Sequence, residues 1–222
     1  MQLTSFQHPY KNNVRTMLTP TPRALRTRQK MFAATEQILS REGYAAWNEE
    51  YMCELCECSR GALRHQFPDG RYDLFPAYVD AVIAADSAMV ESVSDLMPAE
   101  RMYLFLASMQ LRAPSPATRA ILELSMAARG DQKMHDRVKP IMESANHRVL
   151  GVSAANLDPE MLALRHILHG ASLYSFDTDY SAAHFQQSLK WLLAQLPVPA
   201  KVTARIDAMI KARQAFEQEH LK

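Results

Sequence analysis

Apolar residues recur along this chain at helical spacing. Leu25, Phe32 and Leu39 repeat every seven positions, with Ile38 beside the last, and the run is framed by Thr21-Pro22 and Gly43. Thr21 suits an N-cap, Pro22 suits the first helical position, where a missing N–H removes no bond, and Gly43 suits a stop, so the spacing predicts a helix over 22–42. Asn48 is the next N-cap signal, with Glu49 and Glu50 following where the helix dipole favours negative charge, and a short helix should reach about Cys56. Ser59 then opens a third helix of about two turns, bounded by Phe67-Pro68, and Asp69-Gly70 breaks the chain before a long apolar-rich helix over about 72–96.

The remainder is punctuated by starts and stops of the same kind. Met97-Pro98 begins a helix to about Arg112, Ser115-Pro116 one that stops at Gly130, Asp131 one that stops at Gly151, and Asp158-Pro159 one to about Phe176. Asp179 begins another that ends before Pro197, and a charged helix fills about 200–220; Pro140 should kink or split its segment. No window alternates in the manner of a strand, no Asn-Gly hairpin turn occurs, and no internal repeat is present. The expected fold class is all-α: an aperiodic, flexible arm over 1–20, a three-helix head over 21–70 and a helical body over 71–222.

With 222 residues, 48% of them hydrophobic and 22% charged, the chain can bury a sizeable core. A net charge of +1 does not advertise a nucleic-acid binder, yet Arg23, Arg26, Arg28 and Lys30 form a local basic run. Cys53, Cys56 and Cys58 are three, clustered, and follow no secretory leader, which argues against a disulfide framework and for a cytoplasmic protein. No run of about 18 apolar residues is present, so no membrane partner is expected.

The third helix carries the candidate chemistry. It begins at a serine, follows another short helix and carries Arg60, Arg64 and His65, a shape that fits a DNA major groove. Gly43-Tyr44-Ala45-Ala46, Ser59-Arg60-Gly61-Ala62-Leu63, Phe67-Pro68 and Leu74-Phe75, in this order and spacing over about fifty residues, resemble the helix-turn-helix domain of the TetR family of transcriptional regulators. Glu123 to Asp131 also looks like a stretch found in some C-terminal domains of that family. The resemblance implies a homodimer whose third helices enter successive major grooves of a double-stranded operator, with an effector pocket and the dimer interface in the body. It implies a ligand-responsive repressor and no enzyme; the alternative is a TetR-fold small-molecule binder or enzyme whose head no longer reads DNA. A protein-interaction role for the final helix, Ala200 to Lys222, is a further alternative.

Carried over by position, Asn48, Ser59, Arg60, Gly61, Ala62, Arg64, His65 and Arg71 are the expected DNA-binding residues, while Leu63 and Phe67 belong to the core. Arg60 and Arg64 can take guanine or phosphate, or stand solvated. The chain departs from the family pattern in Arg64, where tyrosine is usual, in Glu57, where the turn usually has glycine, and in Asp69-Gly70-Arg71, where lysine is usual. A glutamate at Glu57 is strained if the turn requires positive φ, and it sets negative charge near phosphate. The cysteines occupy places where the family has small apolar residues; they either pack, serve as a thiol sensor, or ligate zinc with His65.

Met102, Phe105, Met109, Met126, Met142, His147, His166 and Tyr174 are the expected lining of a pocket for an apolar or amphipathic effector, since methionine adapts to flexible ligands; ordinary core is the competing role. His169 is a further possible polar anchor. His166 and His169 share a face but have no third ligand nearby, and no nucleophile elbow, phosphate-binding glycine loop or HExxH is present, so no cofactor, metal or catalytic residue is expected. The helices at about 159–176 and 180–196 either form the intersubunit bundle or close the monomer core. Gly170-Ala171-Ser172 allows close approach there, and Leu189, Trp191, Leu192 and Leu193 supply apolar area.

Overall fold

The computed structural model describes residues 21–220 apart from 92, 112–113, 154–157, 175 and 177–178; the expected arm over 1–20 lies outside the described residues. Within the described residues all regular structure is helical. The head comprises α1 (Pro22–Arg41), α2 (Glu49–Leu55) and α3 (Arg60–Gln66), and the long α4 (Arg71–Glu91) leaves it. The body follows as α5 (Pro98–Leu111), α6 (Pro116–Ala127), α7 (Gln132–Ala145), α8 (Pro159–Tyr174), α9 (Ala182–Gln195) and α10 (Ala200–His220).

Local chemistry accounts for most of these boundaries. The side chains of Thr21, Asn48, Ser59, Ser115 and Asp131 each accept the backbone N–H three residues on, which satisfies a donor that the helix leaves unpaired. Three expectations change. The helix after the head stops at Glu91, and residues 93–96 continue as turns, with Leu96 N–H donating to the Val93 carbonyl at 3.0 Å. The helix expected from Asp179 starts after Ser181, whose Oγ accepts from His184 N–H. Tyr180 packs on Phe185 with ring centroids 5.9 Å apart, an apolar staple between the residue before the cap and the fourth helical residue, and this sets the start.

Pro140 does not split its helix: α7 runs through it to Ala145 and passes into a π turn, Asn146–Leu150, that closes at Gly151 with φ 78°. Pro140 and Asp136, the residue whose carbonyl loses its bond, are both exposed, so water can serve that carbonyl. Pro76 inside α4 has the same effect on the Tyr72 carbonyl, which instead accepts from Arg137 Nη1 at 3.3 Å.

The first core cluster joins Met31, Ile38, Leu39, Met52, Leu63, Phe67 and Phe75 of the head and α4 to Ala120 and Leu124 of α6 and Met134 and Val138 of α7. Leu25 keeps the heptad spacing of α1 but is 46% exposed. A seven-residue repeat drifts about 20° per repeat around a straight helix, and the buried face is Met31, Ala34, Thr35, Ile38 and Leu39. A second cluster centres on Met102, Tyr103, Leu106, Leu150, Met161 and Leu164. There Tyr103 donates to Glu160 Oε1 at 2.8 Å, and burial, with that carboxylate, pushes its hydroxyl pKa up to about 12. No helix among the described residues is long and apolar enough to cross a membrane.

Candidate nucleic-acid interface and internal cavity

Helices α2 and α3 are too short to hold themselves in place, so packing positions them. Met52, Cys53 and Cys56 on one side and Leu63 and Phe67 on the other are buried against α1, where Phe32 meets Phe67 at 6.2 Å. Arg28 lies over both of those rings, 5.2 Å from each centroid. The turn between the helices bends at Glu57, whose φ is 54°, the left-handed region that glycine enters freely. Cys58 N–H donates to the Cys53 carbonyl at 2.9 Å and closes the turn.

With its apolar side buried, α3 turns Ser59, Arg60, Gly61, Arg64 and His65 outward, and Ala62 is half-buried beside them. Gly61 faces open space, since a Cβ there would meet only Ser59 Oγ at 3.7 Å. Asn48 caps α2 with Oδ1 2.9 Å from Tyr51 N. Arg71 is placed differently: it is half-buried over the Tyr44 and Trp47 rings, 5.9 and 5.5 Å from their centroids, behind the row on α3.

The two arginines that α3 exposes, and Lys30 of α1, each have an acidic neighbour. Arg60 pairs with Glu50 at 2.9 Å, Arg64 with Glu49 at 2.7 Å, and Lys30 with Glu57 at 3.4 Å. Arg64 also donates to the Pro68 carbonyl at 3.0 Å. Gly70, with φ 59°, lets the Glu49–Arg64 pair close over the chain, because a Cβ there would collide with the Glu49 carboxylate. Over residues 21–70, seven lysines and arginines meet seven aspartates and glutamates.

The cysteines pack as a group. Cys53 and Cys56 are buried, Cys58 is partly so, and the Sγ atoms of Cys56 and Cys58 lie 3.0 Å apart. Burial raises the pKa of both Cys53 and Cys58, which keeps them as thiols. No group of three ligating side chains able to hold a metal ion occurs among the described residues.

The body contains a cavity of about 630 Å³ on the seam between the two core clusters, reached by α4, α5, α6, α7, the π turn and α8. Of the expected lining, Met102, Phe105 and Met142 are there. Met126 is 45% exposed, and His147 and His166 also point to solvent, because the helical faces of α6 and α8 and the π turn at 146–150 rotate them away. Met109 and Tyr174 belong to a third cluster with Phe185 and Leu189, where Tyr174 stacks on Phe185 at 5.8 Å.

Arg165, His135 and Lys139 line the cavity without having been singled out, and His169 lines it as well. Position along a helix did not separate Arg165 from its solvated neighbours. His169 is an exposed residue that borders the cavity; desolvation there, then the charge of Arg165 and of His166, lowers its pKa and favours the neutral ring, which has one donor and one acceptor.

Head and body are tied through α7. Arg137 binds Asp69 and Asp73 at 3.1 and 2.6 Å, Lys133 binds Asp69 at 2.9 Å, and Tyr72 donates to Asp131 at 3.1 Å. Glu123 of α6 accepts from Tyr44 N–H at 3.0 Å. The exit of α3 is thus held by the helix that also forms a wall of the cavity.

No protein-family model and no curated protein matches the sequence. Solved structures do share its fold. A protein described as a TetR-family transcriptional regulator from Rhodococcus sp. superposes with a TM-score of 0.57 at 17% identity, over 76% of this chain and 97% of its own. A TetR transcription regulator from Haloarcula marismortui gives 0.54 at 18% identity, over 78% and 98%. A transcriptional regulator from Saccharomonospora viridis, solved in complex with choline, gives 0.54 at 12% identity, over 77% and 97%. From capped head to helical body, this chain has the fold of the TetR-family transcriptional regulators.

Proposed function

We propose that the protein is a DNA-binding transcriptional regulator, a cytoplasmic homodimer that represses from a double-stranded operator and releases it when a small molecule fills the cavity. The observation that carries this reading is the Ser59-capped α3, which presents Arg60, Gly61, Arg64 and His65 outward from the head of a TetR fold. One such helix reads only a few base pairs, so two heads in successive major grooves are needed for useful specificity. The Saccharomonospora viridis structure in complex with choline supports a small organic effector in this fold.

Release follows from linkage. A ligand that binds one arrangement of the body better than another shifts the population by its differential affinity. Here α7 transmits the shift, since it lines the cavity and grips Asp69 and Asp73 next to α3. The chemistry is recognition, with no catalytic step. The test is a gel-shift of duplex from the region upstream of the protein's own coding sequence. Wild-type protein should shift it with a steep salt dependence, and Arg60→Ala with Arg64→Ala should abolish the shift. A salt-independent shift, or one untouched by the double substitution, overturns the reading.

A further inference from the structure

The cavity is not uniformly apolar. Met102, Phe105 and Leu168 form its greasy walls, while Arg165 enters from α8, and the Nε atom of this arginine is buried without a hydrogen-bond partner. A guanidinium stays charged at any pH the protein meets, and a buried N–H of that group left without an acceptor is unfavourable, so a turn of this side chain toward a ligand oxygen in the cavity it lines is favoured. His169, one turn further along α8, borders the same space. The acids Asp86 and Glu143 also line the cavity, but both are exposed residues, and Glu143 has Lys139 3.9 Å away.

We propose that the cavity binds a flexible aliphatic carboxylate, with the acid group held by Arg165 and His169 and the chain lying along Met102, Phe105 and Leu168. This names the ligand class of the effector site and so rests on that reading of the cavity. The edge of a guanidinium presents parallel donors that match the two oxygens of a carboxylate. A doubly charged phosphoryl group fits less well, because Asp86 and Glu143 add negative charge to the lining and Lys139 has Glu143 beside it. Methionine walls, Met102 and Met142, reshape around an unbranched chain, and about 630 Å³ lies within the range of ligand pockets.

The test is isothermal titration calorimetry of the full chain, without DNA, against three probes that share a ten-carbon tail: decanoate, decanol and decyltrimethylammonium. Decanoate should saturate one site per chain and bind at least tenfold more tightly than the alcohol, with the cation weakest. Arg165→Met, checked for helicity by circular dichroism, should lower decanoate affinity at least tenfold and leave decanol affinity within about twofold; His169→Gln gives a second variant, with a smaller loss for decanoate alone. Equal affinity for acid and alcohol, preference for the cation, absence of binding by all three, or an Arg165→Met protein that binds decanoate as before would overturn the proposal. Because no DNA is present, a failed gel-shift and a failed titration are separate results.

Discussion

At the scale of single residues, the outward face of α3 is a set of cations already engaged. Arg60 and Arg64 rest on Glu50 and Glu49, so a DNA phosphate must displace a carboxylate before it gains the guanidinium, and the displaced acid then repels the backbone. An exposed pair of this kind is worth about 0.2–1 kcal/mol. Glu50→Gln should therefore raise affinity for duplex DNA about two- to fivefold, while Arg60→Ala should lower it by about 1–3 kcal/mol, both read by fluorescence anisotropy at fixed salt. The departures of Glu57 and Arg64 from the family pattern were legible in the sequence. The direction in which Arg64 turns was not, because it depends on where α2 crosses it and on the Pro68 carbonyl beyond. Glu57 makes a second test at this scale. Its φ of 54° strains a residue with a Cβ by about 1 kcal/mol, so Glu57→Gly should raise the melting temperature by about 2–4 °C, followed by calorimetry or circular dichroism.

At the scale of elements, side-chain caps were the most readable feature, since a capping side-chain oxygen and the N–H that donates to it lie three residues apart in the chain itself. Asp179 and Ser181 show the limit: both are capping residues, and only the packing of Tyr180 on Phe185 selects the serine. Pro140 shows another, because a helix runs through a proline where water or a side chain, as Arg137 does for Tyr72, serves the freed carbonyl. The role of α7 was hidden for the same reason, as its grip on Asp69 and Asp73 spans more than sixty positions. That grip titrates. The Lys133 hydrogen bond, followed by the charges of Lys133 and Arg137, holds the Asp69 carboxyl below the usual carboxylate range despite some desolvation. A carboxyl lowered by folding contributes stability above its unfolded pKa, about 3.9, and loses it as the pH falls through its folded value. Thermal melts should show Asp69→Asn less stable than the natural chain at pH 7, with the gap closing below about pH 4. In operator release, Arg137→Ala should leave DNA binding intact and weaken the response to the effector.

At the scale of the whole molecule, two large clusters of buried side chains meet at the cavity, and the first of them runs without interruption from α1 through α6 and α7. A head that shares its core with the body does not swing freely on a linker; its position follows from how the body packs. In the proposed homodimer, two heads must then be held by a second surface. Leu173 on α8 is 44% exposed and Trp191 on α9 is 66% exposed, and exposed apolar side chains of this size are the candidates for the face that a second copy covers in the proposed homodimer. Beside them Ile167, Ala171 and Leu192 line a groove suited to a helix from a second copy. Leu173→Glu with Trp191→Asp sets two charges on that face without touching the buried Phe185 and Leu189 beneath. Sedimentation velocity should then find monomers in place of dimers, with helicity unchanged. The same protein should lose operator affinity steeply, because half-sites about 34–36 Å apart are bound tightly only by two heads joined in one molecule. Weak binding to a single half-site should survive, since α3 and its cap are untouched. A variant that stays dimeric would move the interface off α8 and α9, and a monomer that binds the full operator as well as the parent would mean that one head suffices.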